Sequence, residues 1–247
     1  MKSIKTILIT GASSGIGAAL AQAYANKNRQ LYLIGRDAER LENVAQKCRE
    51  MSAIVEAKLI DVRDQDAMSS WILSCDDKAP LDLVIANAGV SNAGETVLYE
   101  TNQMLFDINL QGVLNTIHPI LPRMQARRSG QLVLMSSLAG YRALARAPAY
   151  GASKAAVKAY GEALGGLLAE DNVTVTVLCP GFIKTPLTDK NKFFMPCLMS
   201  LDDAVKRIVK GIQKKKLLVA FPWPLHALVW LLSVLPASVA SRLTKRL

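Results

Sequence analysis

Short apolar runs alternate with longer segments of helical periodicity along almost the whole chain. The runs at 82–86 and 173–178 are brief and rich in β-branched residues, which is typical of strands covered by helices on both faces. The pattern predicts strands near 5–10, 31–35, 54–60, 82–86, 131–135, 173–178 and 216–220. It predicts helices near 15–28, 38–50, 64–75, 98–124, 150–169, 202–213 and 225–234.

Strict alternation of strands and helices implies right-handed crossovers between parallel strands. The sequence contains neither an internal repeat nor a linker rich in proline, glycine or serine. We therefore expect a single α/β domain over 1–247 with a doubly wound, Rossmann-type fold. Its seven-stranded parallel sheet should carry helices on both faces.

The composition is that of a globular protein, with 51% hydrophobic and 20% charged residues. The four cysteines form no C-x-x-C pair, and the apolar stretch Ile7–Ile9 is too short for the core of a secretory signal. We therefore expect reduced thiols in an intracellular, cytoplasmic protein. Neither His118 nor His226 has a partner at metal-ligand spacing, so the sequence predicts no metal site.

The net charge of +10 is concentrated toward the C-terminus. From Ala204 onward the chain has nine lysines and arginines and no acidic residue, whereas the preceding part is nearly balanced. An excess at one end says little about the fold, and no nucleic-acid-binding motif accompanies it. We expect no nucleic-acid partner.

A glycine-rich turn, T-G-A-S-S-G-I-G over 10–17, follows the first predicted strand and opens the first helix. Gly11, Gly15 and Gly17 would let the backbone approach a pyrophosphate, which the first N–H groups and the positive dipole end of the helix attract. The spacing is related to the G-x-G-x-x-G dinucleotide fingerprint but differs from it. Taken alone, an ordinary strand–helix turn is an open alternative.

The end of the second strand bears on the choice of cofactor. An NAD site usually has an acid there for the ribose 2′-hydroxyl, but this chain has Gly35 followed by Arg36. A guanidinium can instead bind the 2′-phosphate of NADP, and Asp37 should cap the next helix. Arg36 therefore predicts NADP(H) as cofactor, with a solvated surface arginine as the alternative.

Tyr150 and Lys154 are one helical turn apart and should share a face. We expect Lys154, together with the positive nicotinamide of an oxidised cofactor, to lower the phenol pKa, because a nearby positive charge favours phenolate. Such pairs are common on surfaces, so the interpretation needs further residues. Ser137 after the fifth strand, Asn87–Gly89 after the fourth and Asn109 in the next helix supply them, because the carboxyl ends of parallel strands line one crevice.

In order and spacing, these motifs resemble the short-chain dehydrogenase/reductase family across almost the whole chain. Ala86 and Gly151 depart from common family residues, but neither change removes a catalytic group. The resemblance implies hydride transfer between NADP(H) and a carbonyl or alcohol. A non-catalytic NADP-binding sensor on the same fold is the alternative.

The resemblance also implies roles for individual residues. Tyr150 would be the general acid/base, and Ser137 would hydrogen-bond the reacting oxygen. Lys154 would bind the nicotinamide ribose, and Asn109 would anchor a water in a proton relay. The implied cofactor contacts are Gly11, Ser13, Ser14, Gly15, Ile16, Gly17, Arg36, Asp61, Val62, Asn87, Ala88, Gly89, Tyr150, Lys154, Pro180, Gly181, Ile183 and Thr185.

The family usually places a substrate lid after Thr185, here over 186–203. Its apolar run 193–199, with Leu138, Tyr141 and Leu144, suits a lipophilic substrate. Packing of these residues against the body of the protein or a partner subunit is an equal alternative.

The C-terminal tail, 221–247, is apolar and basic. Leu217–Pro236 has no charged side chain, but the predicted strand, Pro222 and Pro224 leave too short a helix to span a bilayer. Tryptophans beside basic residues are typical of peripheral attachment to an anionic membrane. Packing over the active site or across a homodimer or homotetramer interface is the alternative. The residues concerned are Trp223, Trp230, Lys214, Lys215, Lys216, Arg242, Lys245 and Arg246.

Overall fold

In the computed structural model, which describes residues 4–91, 98–191 and 193–244, seven strands form one parallel sheet. Their order across the sheet is β3-β2-β1-β4-β5-β6-β7, and the predicted fold class is confirmed. The strands are β1 (Thr6–Thr10), β2 (Gln30–Gly35), β3 (Ile54–Leu59), β4 (Leu83–Ala86), β5 (Gly130–Met135), β6 (Val173–Pro180) and β7 (Leu218–Phe221).

Helices cover both faces because successive strand residues point to opposite sides. Ile7 and Ile9 pack with Leu20 of α1 and Ile208 of α8, whereas Leu8 packs with the helices of the other face. The helices are α1 (Gly15–Tyr24), α2 (Ala38–Glu50), α3 (Gln65–Lys78), α4 (Tyr99–Phe106), α5 (Gly112–Ile117), α6 (Leu121–Ala126), α7 (Pro148–Leu167), α8 (Leu201–Gln213), α9 (Trp223–Val234) and α10 (Ala237–Thr244).

The predicted continuous helix over 98–124 is wrong. The chain instead forms α4, a π-helical segment over Asp107–Gln111, α5, a turn and α6. Pro122 lies in the first turn of α6, because a residue without an N–H fits a helix start and not a helix interior. Gly112 follows the π segment, and a Cβ there would lie 2.6 Å from Val62 Cγ2.

Other boundaries also differ from the predictions. Helix α1 ends at Tyr24 rather than near residue 28, and α10 was not predicted. Pro222 and Pro224 do not delay the last predicted helix, because Pro222 is the N-cap of α9 and Pro224 lies in its first turn. The terminal residues 245–247, including Lys245 and Arg246, lie outside the described residues.

The order of the strands determines where a ligand can bind. The chain crosses from β1 to β2 in one direction across the sheet and reaches β4 on the other side of β1. This reversal opens a crevice at the carboxyl ends of β1 and β4, the usual ligand position in open parallel sheets. The predicted motifs all follow carboxyl ends of strands at this edge.

Candidate active site

The turn after β1 requires glycine. Gly11 and Gly15 have φ angles of 65° and 54°, which residues with a Cβ rarely adopt. A Cβ on Gly11 would lie 2.8 Å from Ala88 Cα, and one on Gly17 would collide with the Gly11 carbonyl oxygen. The turn therefore packs backbone against backbone and leaves the crevice beside it open.

Hydrogen bonds join this turn to the end of β4. The Asn87 side-chain amide donates to the carbonyl oxygens of Thr10 and Gly11 at 3.0 and 3.3 Å. The Thr10 hydroxyl accepts from the backbone N–H groups of Asn87 and Ala88 at 3.1 and 3.2 Å. The N-A-G segment and the glycine turn therefore form one wall.

The N-terminus of α1 is suited to an anion. Ser14 is the N-cap, yet its side chain makes no capping hydrogen bond. Ser14, Gly15 and Ile16 line a cavity in the crevice, where the first helical N–H groups and the positive dipole end are available. This cradle fits the pyrophosphate of a dinucleotide.

The cavity, of about 760 Å³, brings together most of the predicted site residues. Gly17, Asp61 and Asn109 do not line it. Those that do are Gly11, Ser13, Ser14, Gly15, Ile16, Arg36, Val62, Asn87, Ala88, Gly89, Ser137, Tyr150, Lys154, Pro180, Gly181, Ile183 and Thr185.

Two arginines flank the cavity at the end of β2. Gly35 ends the strand as predicted, and Arg36 Nη1 lies 3.5 Å from Asp61 Oδ2. Asp37 caps α2 as predicted, because its Oδ1 accepts from Arg40 N at 2.9 Å. Arg40, which was not predicted, also lines the cavity and pairs with Asp37 at 2.7 Å. Its place in the first turn of the helix that follows Arg36 was the available signal.

Asp61 is held by the neighbouring Arg63. The Arg63 guanidinium donates to its carboxylate at 2.7 and 3.1 Å. These hydrogen bonds are the main reason that the pKa of Asp61 is lowered to about 2. The carboxylate is therefore ionised and partnered, while the adjacent Val62 lines the cavity. Contact between Asp61 and a cofactor stays a prediction.

Tyr150 and Lys154 lie in the first two turns of α7 and face the same side. Lys154 Nζ lies 5.8 Å from the centroid of the Tyr150 ring and donates to the Met135 carbonyl oxygen at 2.9 Å. Ser137 hydrogen-bonds the Tyr150 phenol, and its Oγ lies 3.4 Å from the Pro180 carbonyl oxygen. Three elements, α7, β5 and β6, therefore converge on one phenol.

The expectation that Lys154 lowers the phenol pKa is not met by the protein's own groups. Burial raises the pKa of Tyr150, and the hydrogen bond from Ser137 offsets part of that rise. Lys154 is 3% exposed, and burial lowers its own pKa to about 8. The ammonium sits over the face of the ring, and removal from water dominates the ionisation of both groups.

Asn109 supports the wall after β4 from behind. Its Oδ1 accepts from Val90 N at 2.8 Å, and its Nδ2 donates to Val90 O at 2.9 Å and to Ser153 Oγ at 3.1 Å. The π-helical segment carries this fully buried side chain. Such insertions in helices often occur at functional sites. Its role in a water relay stays a prediction.

Apolar side chains line the end of the cavity remote from Arg36. They come from the segment after β5, from the chain after Thr185 and from α9. For α9, packing of the tail over the active site was one of the alternatives that the sequence left open. Six of them are Leu138, Leu144, Phe193, Phe194, Leu228 and Val229.

Parts of the predicted substrate wall are wrong. Tyr141 does not line the cavity, because its hydroxyl contacts His226 Nε2 at 3.0 Å. Met199 forms a parallel bridge with Ile183 instead of contributing to the wall. The last residues of the predicted lid, 186–203, belong to α8, which begins at Leu201. Two further arginines that were not predicted, Arg142 and Arg146, also line the cavity.

Comparison with known proteins identifies the family. A family model described as short chain dehydrogenase matches residues 5–195. The chain belongs to the short-chain dehydrogenase family. A protein of Myxococcus xanthus named an uncharacterized oxidoreductase is 38% identical, over 99% of this chain and 98% of its own length. A Mycobacterium tuberculosis protein named in the same way is 35% identical, over 97% and 96%.

Solved structures of the family agree with the fold. A short-chain dehydrogenase from Sphingobium yanoikuyae in complex with NADPH has a TM-score of 0.82 at 26% identity, covering 95% of this chain and 97% of that chain. One from Burkholderia phymatum in complex with NAD has a TM-score of 0.84 at 22% identity, covering 93% of each, and shows the fold alone. The protein is thus an oxidoreductase of this family.

Burial of Lys154 yields a testable prediction for stability. Its pKa falls from 10.5 unfolded to about 8 folded, which corresponds to about 3 kcal/mol of destabilisation while the lysine is charged. Lys154→Met removes that cost but leaves the Met135 carbonyl unpaired, at about 1 kcal/mol. We expect the variant to be more stable at neutral pH by about 1–2 kcal/mol in urea unfolding.

The pH dependence separates this effect from better packing. Between the two pKa values the lysine binds more protons in the unfolded state than in the folded state, so the stability of the wild type rises with pH. The advantage of the variant should therefore vanish above pH 10.5. Lys158→Met on the same helix, which loses a salt bridge to Glu162, is the control and should gain nothing. A destabilised Lys154→Met at neutral pH would contradict the prediction.

Proposed function

We propose that the protein transfers a hydride between NADP(H) and a lipophilic carbonyl or alcohol, with Tyr150 as general acid/base. The observation that carries the proposal is the convergence of Tyr150, Ser137 and Lys154 in the same cavity as the glycine turn. When bound there, the nicotinamide supplies or accepts the hydride. The chain's own groups bind, orient and move the proton.

The ionisation of the phenol supports proton donation. Because burial raises the pKa of Tyr150, the phenol keeps its proton at neutral pH. It can then donate that proton to the oxygen of a carbonyl as the oxygen gains charge. Ser137 hydrogen-bonds the phenol and would steady the same oxygen. In the reverse direction the same phenol group would take the proton back from an alcohol.

Lys154 acts on this step by position. Its ammonium is held by the Met135 carbonyl oxygen and sits beside the ring of Tyr150. Burial still governs the phenol pKa, but once the proton is donated this charge would offset part of the cost of the buried phenolate. The remaining N–H groups of the ammonium are suited to ribose hydroxyls, which are good acceptors.

Arginines at the end of β2 support NADP over NAD. Arg36 and Arg40 line the cavity next to Gly35, where an acid for the ribose 2′-hydroxyl would otherwise stand. The nearby carboxylate of Asp37 is paired with Arg40, so its charge is offset. Two guanidinium groups can bind the 2′-phosphate bidentately. A lipophilic substrate is supported by the apolar end of the cavity.

Tyr150→Phe tests the catalytic assignment. The substitution removes the proton donor and keeps the ring, so we expect kcat to fall by about a hundred- to ten-thousand-fold. NADPH affinity, measured by fluorescence titration, should change little.

Tyr160→Phe is the matched control on the same helix, where the hydroxyl contacts His118 Nε2 at 2.9 Å. Near-wild-type turnover in Tyr150→Phe would refute the assignment. Cofactor binding without turnover in wild type would favour a sensor.

Arg36→Ala tests the cofactor preference. Loss of a charge-assisted contact to the 2′-phosphate should raise KM for NADPH by about ten- to a hundredfold, while KM for NADH is unchanged. Arg40→Ala should act in the same direction. Arg49→Ala, at the far end of α2, is the control and should affect neither cofactor. Equal effects of Arg36→Ala on both cofactors, or a wild-type preference for NADH, would defeat the argument.

A further inference from the structure

Helix α9 is almost entirely apolar. None of its residues, Trp223–Val234, is charged, and only His226 and Ser233 are polar. Leu225, Val229 and Leu232 line the cavity, and their i, i+4, i+7 spacing places them on one face. A helix that is apolar all round normally lies within protein or within lipid.

The opposite face of α9 is uncovered. Trp223, Ala227, Trp230, Leu231 and Val234 are all exposed, and their spacing of i, i+4, i+7, i+8 and i+11 forms a single stripe. The two tryptophans are 76% and 54% exposed. We call these five residues the outer face of α9. Contiguous apolar surface of this kind marks an interaction site.

The charge of the surrounding chain indicates what the outer face meets. Val239 and Leu243 of α10 are also exposed, and Arg242 between them is exposed and basic. Neither α9 nor α10 contains an acidic residue, and the Arg142 guanidinium reaches α10, where it donates to the Ala237 carbonyl oxygen at 3.3 Å. Tryptophan and basic residues favour the headgroup zone of a bilayer, and anionic lipids attract the positive charge.

We propose that the outer face of α9, with the exposed apolar residues of α10, docks on an anionic lipid bilayer. Twelve residues of helix are about 18 Å long, well short of the hydrocarbon core of about 30 Å. Within the described ranges, no helix is long and apolar enough to cross a membrane. Helix α9 therefore lies in the plane of the interface.

Charge argues against a second copy of the chain as the occupant. A twofold dimer through this face would bring Arg242 of both copies to one interface, and neither α9 nor α10 has an acidic residue to offset them. Like charges facing each other across an interface are unfavourable. An anionic bilayer offers both the apolar phase and the opposite charge.

Tryptophan fluorescence tests the docking without measuring activity. The chain has three tryptophans, and Trp71→Phe leaves the two on α9. Trp71 Nε1 is buried with no hydrogen-bond partner in the described part of the chain, so phenylalanine should be tolerated there. On addition of phosphatidylcholine vesicles containing phosphatidylglycerol, we expect a blue shift and quenching by brominated acyl chains. Unchanged emission with these vesicles would overturn the proposal.

Vesicle flotation of the full chain identifies the residues responsible. Trp230→Ser should weaken partitioning by about tenfold, because it removes a large apolar side chain from the interface. Arg242→Gln should weaken it by about fivefold on anionic vesicles. Leu167→Ser is the matched control, since Leu167 is 73% exposed on α7, and it should not change partitioning.

The outcomes separate the membrane from a protein partner. Binding to anionic vesicles that is lost in Trp230→Ser and kept in Leu167→Ser supports the proposal. No flotation of wild type, together with a smaller oligomer for Trp230→Ser in analytical ultracentrifugation, would assign the face to a second copy and overturn it. The docking is independent of the reaction, so a failed activity assay leaves these results intact.

Discussion

The active site depends on a lysine ammonium that the fold removes from water. Lys154 reaches the carboxyl ends of β4 and β5, where its Nζ bonds to the Met135 carbonyl oxygen. Small neighbours make room for this part of the chain: a Cβ on Gly89 would lie 3.1 Å from Asn109 Oδ1 and 3.3 Å from Nζ, and one on Gly140 would lie 2.8 Å from the Lys154 carbonyl oxygen. The glycine of the N-A-G segment therefore leaves space for both Asn109 and Lys154, and Gly140 lets α7 approach. Burying this ammonium lowers the stability of the folded protein, but it holds a positive charge at a fixed position beside Tyr150.

A set of hydrogen bonds between neighbouring strand ends keeps that charge in place. Asn87 and Thr10 join the ends of β1 and β4, and the Ser136 hydroxyl donates to the Lys154 carbonyl oxygen at 2.7 Å. Asn109 supports the chain at Val90 from behind. Some polar residues of the family motifs thus hold the backbone, and two of them, Thr10 and Asn109, do not line the cavity. These bonds join the ends of β1, β4 and β5 to each other and to α7, so the site residues are held by the sheet and the helix that follows it.

The fold could be predicted because its signal is repeated and local: each buried strand precedes a helix, and each motif follows a strand. The prediction of a single helix over 98–124 was wrong because the helix is interrupted where tertiary contacts require it. The π-helical segment aims Asn109 at Val90 and Ser153, and residues spaced this far apart in sequence leave no local pattern. The rise in the phenol pKa from burial could not be predicted for a related reason. Sequence spacing gave the proximity of Tyr150 and Lys154, but their burial depends on the packed cavity. Arg40 could have been found, because it lies in the first turn of the helix that follows Arg36.

Helix α9 connects the chemistry to the surface. Its inner face, with Leu225, Val229 and Leu232, lines the apolar end of the cavity, and its outer face carries Trp223 and Trp230 into solvent. With the proposed substrate and the proposed docking, an apolar ligand and an apolar phase would contact opposite sides of one helix only about 10 Å across. A lipophilic substrate held in lipid would then need to cross little water to reach the cavity. This double contact would account for the composition of α9, because a helix with one polar face would lose either the wall or the docking surface.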